Sequence, residues 1–155
     1  MDFPAPQNRF LVDHARLLLS SYETLTGRQL ISACDEEDMA RELFYAPFFV
    51  ASHSLDSDPV LTYGNETALQ LFELPWEKFT GTPSRFTAEA PEREERERLL
   101  DTVARQGYID DYSGIRISSR GRRFEIRNAT VWNLIDDVGV KIGQAATFSE
   151  WGFLK

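Results

Sequence analysis

The sequence predicts an α+β fold: a five-stranded antiparallel sheet with short helices on one face and an N-terminal helical extension. Three observations carry this. Residues 107–151 read as three antiparallel strands, because alternating or β-branched runs are punctuated by Ser119-Arg120-Gly121 and by Asp136-Asp137-Val138-Gly139. Residues 48–54 and 60–63 read as two more strands around the polar turn Asp56-Ser57-Asp58-Pro59. The segments before and between these strands carry helical spacing and capping signals.

In chain order, Pro4 and Pro6 mark an extended lead-in, and Asn8 is the expected N-cap of a first helix. Leu11, Ala15, Leu18, Tyr22 and Leu25 recur at helical spacing up to Gly27, the expected C-cap. This stripe docks either on the chain's own sheet or on a second copy, and Leu11, Leu18, Tyr22 and Leu25 form the candidate dimer face. Residues 35–45 form a second helix with acids in its first turn, stopped by Pro47. Together these helices make an N-terminal extension over 1–46, followed by a core domain over 47–155.

Within the core domain, Asn65 caps a short helix that places Ala68, Leu69 and Phe72 on one side. Residues 74–89 are dense in Pro, Gly and aromatics and predict short turns, with Trp76, Phe79 and Phe86 capping the core from outside. Pro91, the acids Glu92, Glu94 and Glu95, then Leu99, Leu100, Val103 and Gly107 signal a longer helix. Its Glu92–Arg96 and Glu94–Arg98 spacings describe a solvated face whose pairs are worth about 0.3 kcal/mol each.

The middle strand of 107–151 shows the clearest alternation. Phe124, Ile126, Asn128, Thr130, Trp132 and Leu134 fall on one face, and Glu125, Arg127, Ala129, Val131 and Asn133 on the other. The first face is the expected inner one, since burying its apolar side chains gains roughly 25 cal/mol per Å² and Glu125 and Arg127 stay in water. Asn128 and Thr130 then point inward, where they bond to neighbouring strands or to a ligand.

Composition bounds the function. At 155 residues with 42% hydrophobic content, eleven Phe and three Trp, the chain is one domain with a real core. A net charge of −8 disfavours nucleic acid and anionic membranes as partners. No apolar run approaches the roughly 20 residues of a membrane span. The single Cys34 and the lack of a recognisable leader make the cytoplasm the expected compartment.

The order of elements, with YGNETALQLFEL, WEKFTG and RRFEIRNATVWNLIDDVGVKIGQAATF, resembles a PAS domain. More narrowly, YGNETALQLFEL, PSRFTAE, EREERERLL, QGYIDDYSGIRISSRGRRF and NATVWNL look like the MEKHLA domain, a PAS-related module, over almost the whole chain. The resemblance implies a PAS-like sensory or protein-interaction module acting in trans. It also implies a pocket between sheet and short helices. Phe72, Trp76 and Phe79 are its candidate wall on the helix side, and Arg116, Phe124, Ile126, Asn128, Thr130, Trp132 and Gln144 on the strand side.

The same resemblance limits cofactors. Light-sensing PAS domains with a flavin–cysteine adduct carry a reactive cysteine before Arg-Phe, and here Ser84 precedes Arg85-Phe86. It places Arg116, Ile126 and Ala145 near flavin-binding amide positions, leaving Asn128 and Gln144 as alternative amides. Haem-binding relatives take an axial histidine from the long helix, which has none; His14 and His53 read as surface or edge residues. No metal pattern is recognisable, and the ligand stays unassigned.

Catalysis is the weaker class. Asp110 and Asp111 are strand neighbours that point to opposite faces, and Ser52-His53-Ser54 lacks an orienting acid. Arg116, Arg120, Arg122, Arg123 and Arg127 gather near one turn; cross-strand pairing with Asp110, Asp111 or Glu125 is the favoured reading, with Arg116 placed on the inner face. Three functions are therefore weighed: a ligand-binding sensory module, a filled-core dimerisation or interaction module, and a small enzyme using Asn128, Arg116 and Gln144.

Overall fold

A computed structural model describes residues 1–155 and shows the α+β fold. Its elements are α1 (Val12–Thr26), α2 (Glu36–Phe44), β1 (Phe49–Ser54), β2 (Leu61–Gly64), α3 (Glu66–Phe72), α4 (Trp76–Phe79), α5 (Ala90–Gln106), β3 (Tyr108–Ile117), β4 (Arg123–Ile135), β5 (Lys141–Phe148) and β6 (Glu150–Phe153). The antiparallel sheet runs β2-β1-β5-β4-β3. Ser149 interrupts the last strand, so that β5 pairs with Thr130 to Ile135 of β4 and β6 pairs with Phe124 to Arg127. No helix is long and apolar enough to cross a membrane.

The short helices lie where the sequence places them, but α1 and α2 do not share their face. Two hydrophobic clusters sandwich the sheet. One joins β1, β3, β4 and β5 to α3 and α5 through Phe49, Phe72, Leu99, Val103, Ile126 and Phe148. The other joins α1 and α2 to the opposite face through Leu18, Leu43, Val50, Trp132 and Leu134. Leu18 is fully buried, and the Tyr22 ring meets Trp132 edge-on at 5.0 Å. The candidate dimer stripe is thus covered by the chain's own sheet, since its apolar area is matched by the Trp132 and Leu134 face of β4.

The alternation of β4 changes phase at Asn128. Asn128 has φ 55° and Asp111 on β3 has φ 56°, and the β3–β4 register shifts around Tyr112. Each inserts one residue into the ladder, and Asn and Asp are the side-chain-bearing types that best tolerate this backbone region. Phe124 and Ile126 face α3 and α5, as expected; beyond the bulge Ala129, Val131 and Asn133 take that face. Thr130, Trp132 and Leu134 are delivered to the α1 side. Asn128 itself is exposed and donates to Glu150 Oε2 at 3.2 Å. The predicted inner pair Asn128 and Thr130 is therefore not inner at all.

Local signals explain most element ends. Asp35 Oδ1 accepts from Asp38 N–H at 2.8 Å, and Gly27 closes α1 with φ 74°. Asn65 caps α3 and is fully buried: its Oδ1 accepts from Val50 and Ala68 N–H, both at 3.1 Å, while Nδ2 donates to the carbonyls of Leu43 (3.0 Å) and Phe48 (2.8 Å). One amide thereby ties α2, β1 and α3 together with all four of its bonds satisfied. Asn8, in contrast, holds a 3-10 turn ahead of α1 by accepting from Ala5 and Leu11 N–H. Trp76 and Phe79 are buried core residues, whereas Phe86 is exposed. Phe79 crosses the backbone of Gly64, where an added Cβ would sit 2.7 Å from the ring.

Candidate functional site

Between the inner face of the sheet and α5 lies a cavity of about 80 Å³ lined by seventeen residues, twelve of them apolar. Phe49, Ala51, Ala146 and Phe148 of the strands, Phe72 of α3, and Leu99 and Leu100 of α5 line it. This volume suits a few waters or one small molecule, because a water needs only about 10–15 Å³ by this measure.

The polar side chains in this wall are Arg96, Arg116, His53 and Thr87, joined by the hydroxyl of Tyr112, itself one of the twelve; Ser52 also lines it, but its Oγ is turned to His14 and Thr62. No carboxylate lines it. Arg116 is only 8% exposed. Its Nη1 donates to the Ile115 carbonyl at 2.8 Å and its Nη2 to the Tyr112 hydroxyl at 3.0 Å. Tyr112 in turn donates to Glu95 Oε2 at 2.9 Å, so the nearest acid is one hydroxyl removed and on the exposed side of α5. Burial raises the Tyr112 pKa, against the pull of Arg116.

Arg96 makes no ion pair, unlike Arg98, which reaches Glu94 at 3.1 Å. Burial, reinforced by the charge of Arg116, lowers its pKa to about 10. The expected Glu92–Arg96 surface pair is replaced by an arginine on the buried stripe, since Arg96, Leu99, Leu100 and Val103 share one helical face.

His53 is buried too, not a surface or edge residue. Its Nδ1 donates to the Ser54 carbonyl at 2.9 Å, and its Nε2 is buried without a partner. Burial, together with the charge of Arg96, lowers its pKa to about 4, so at neutral pH it is an uncharged imidazole with Nε2 as a free acceptor. His14 sits on the opposite face, half-buried against the Tyr63 ring, with Nε2 3.0 Å from Ser52 Oγ; burial lowers its pKa to about 4 as well.

Of the predicted pocket residues, Phe72, Arg116 and Ile126 line the cavity. Phe79 and Phe124 are buried beside it, and Trp76 belongs to the α1-side cluster. Trp132 lies under α1, and Thr130 donates to Asp110 Oδ1 at 2.7 Å on that same side. Gln144 is buried on the inner face, but its amide donates to the Leu100 carbonyl (3.0 Å) and to Asn133 Oδ1 (3.2 Å), pinning α5 to the sheet. Asn133 completes that clamp by donating to the Val103 carbonyl at 3.0 Å.

Sequence reasoning missed His53, Arg96 and Tyr112. Only Arg96 carried a readable sign, its position on the stripe of Leu99 and Val103. The expected cross-strand arginine pairs do not form either. Arg122 stacks on the Phe153 ring at 3.4 Å, Arg123 approaches Glu89 at 3.8 Å, and Asp110 is taken by Arg28 at 2.7 Å.

Comparison with known proteins gives a consistent picture. The model of the MEKHLA domain family matches residues 12–153. The chain is 26% identical over 145 residues to the homeobox-leucine zipper protein ATHB-9 of Arabidopsis thaliana and 25% identical over 144 residues to ATHB-14 of the same plant. Each match covers 90% of this chain but only 17% of the relative. Among solved structures, a PAS domain from Colwellia psychrerythraea superposes with a TM-score of 0.65 at 13% identity, over 76% of this chain and 95% of that one. A light-oxygen-voltage domain studied with a flavin analogue gives 0.58 at 13% identity, over 76% and 85%. These likenesses show the PAS fold.

Proposed function

Because the chain belongs to the MEKHLA domain family and has the PAS fold, we propose that it is a sensory module whose cavity between sheet and α5 holds a small ligand and whose occupancy is read by a protein partner. The observation that carries this reading is the cavity wall itself. Arg116 and His53 are each only 8% exposed, and a buried polar group without full partnership costs about 1–3 kcal/mol unless something else supplies the contact. Arg116 uses two of its five N–H donors, and His53 Nε2 has no partner. Such convergent polar groups in an apolar hollow are the usual signature of a binding site.

The residues do not fit a flavin. The cavity is far below the roughly 300 Å³ at which pockets for drug-sized ligands begin. Asn128 faces outward and Gln144 is committed to Leu100 and Asn133. A cysteine adduct has no nucleophile, since Ser84 occupies that position. The ligand is smaller than a flavin and is held without a covalent bond.

Signal output would act in trans, in the cytoplasm, where the single exposed Cys34 stays reduced. Native mass spectrometry of the freshly purified protein is the test. An adduct of low mass that departs on mild activation supports the reading, and a bare polypeptide that also takes up no small molecule contradicts it. A second reading, an interaction module with a filled core, is favoured by the modest cavity volume alone. It cannot use Leu18 and Tyr22 as a dimer face while α1 stays on the sheet.

A further inference from the structure

The chemistry of the cavity wall goes beyond the presence of a ligand and names its class. We propose that the cavity binds a small organic carboxylate with an apolar body, its carboxylate held by Arg116 and Arg96 and its hydrocarbon part by Phe49, Leu99, Ile126 and Phe148. This rests on the ligand-holding reading above.

Two guanidinium groups converge on one apolar hollow, and neither forms an ion pair. Two like charges brought out of water lose hydration and repel each other, and burial first, then the charge of Arg116, lowers the Arg96 pKa. One anion placed between them offsets both effects at once. A third cation offsets neither, and a neutral hydrogen-bond acceptor replaces lost hydration without relieving the repulsion. The chain as a whole is strongly acidic, with a net charge of −8, so the two unpaired cations here do not follow from bulk composition.

A carboxylate is the anion that fits. The guanidinium fork of Arg116 still has donors to spare after serving Ile115 and Tyr112, and its planar geometry matches a carboxylate in a bidentate pair. Twelve of the seventeen lining residues are hydrophobic, which favours a ligand with a hydrocarbon body over a small inorganic ion alone. His53 Nε2, an acceptor in the neutral ring, is left to a water or to a hydroxyl on the ligand.

The test is isothermal titration calorimetry of the full chain with hexanoate and benzoate, their neutral alcohols hexan-1-ol and benzyl alcohol, and hexylammonium. Amide shifts of Val131 and Ala146 in NMR report whether a probe enters the cavity. The expected result is that an acid binds at least about tenfold more tightly than its alcohol, with hexylammonium silent. Arg116→Met should abolish that preference and keep the alcohol affinity. Arg96→Gln, at a partly buried position outside the two hydrophobic clusters, should weaken the acid by about tenfold and covers the case in which Arg116→Met fails to fold. Equal binding of acid and alcohol in the cavity overturns the carboxylate assignment and leaves the ligand-holding reading standing. Absence of binding by every probe, with no shift at Val131 or Ala146, overturns both.

Discussion

The Tyr112 hydroxyl and the Arg116 guanidinium meet at 3.0 Å across Gly114, and the contact exists because Gly114 has no side chain. A Cβ there would lie 2.4 Å from the Tyr112 oxygen and 3.1 Å from Arg116 Nη1. Strand periodicity puts residues 112, 114 and 116 on one face, so glycine at the centre lets the tyrosine lie along the strand and reach its neighbour.

Gly114→Ala should therefore displace the Tyr112 ring and free the Arg116 fork. The expected cost is about 1–3 kcal/mol in urea unfolding, the usual range for overpacking. A variant as stable as the parent, with an unchanged Tyr112 environment by NMR, would contradict this geometry.

The two histidines set a pH dependence. Both have folded pKa values near 4, lowered chiefly by burial, against an ordinary value near 6.5. Between these values the unfolded chain binds more protons than the folded one, so stability is full above pH 6.5 and falls as pH drops toward 4. Urea midpoints measured from pH 7.5 to 4.5 should show this decline. His14→Asn and His53→Asn should each flatten part of it, and an unchanged slope in both variants would remove the histidines as its cause.

Leu18 is a core residue, not a dimer contact. Leu18→Ala should cost about 2–5 kcal/mol, and Leu18→Asp should unfold the N-terminal half instead of producing a soluble, fully folded monomer. Circular dichroism and size-exclusion chromatography on the two variants separate these outcomes.

The bulge at Asn128 makes a test of backbone strain. Asn128→Gly should be neutral or slightly stabilising, since glycine accepts φ 55° freely. Asn128→Val should cost about 1–2 kcal/mol, because a β-branched side chain is strained there. Equal unfolding midpoints for the two variants would argue that β4 runs without a bulge.

That bulge also explains what could be read in the sequence and what could not. Turn and cap chemistry was legible, because Asp35, Asn65, Gly27, Gly121 and Gly139 act through local backbone geometry. The phase of β4 was not. Both of its faces are buried beyond Asn128, one by α5 and the other by α1, so apolar residues at Val131 and at Trp132 are equally acceptable and alternation no longer marks the inner side. An inserted residue then reverses the assignment with no compositional trace. Thr130 and Trp132 were lost to the pocket for this reason. Arg116 was recoverable because it precedes the turn on β3, where no bulge intervenes between it and Gly114. The role of His53 depends on how β1 and α5 enclose it, which is long-range packing that no short window contains.

A crystal structure of the protein soaked with hexanoate tests the central claim most directly. The account predicts carboxylate density within hydrogen-bond distance of Arg116, with the alkyl chain between Leu99 and Phe148. A cavity that stays closed, or holds only water at saturating hexanoate, would contradict it.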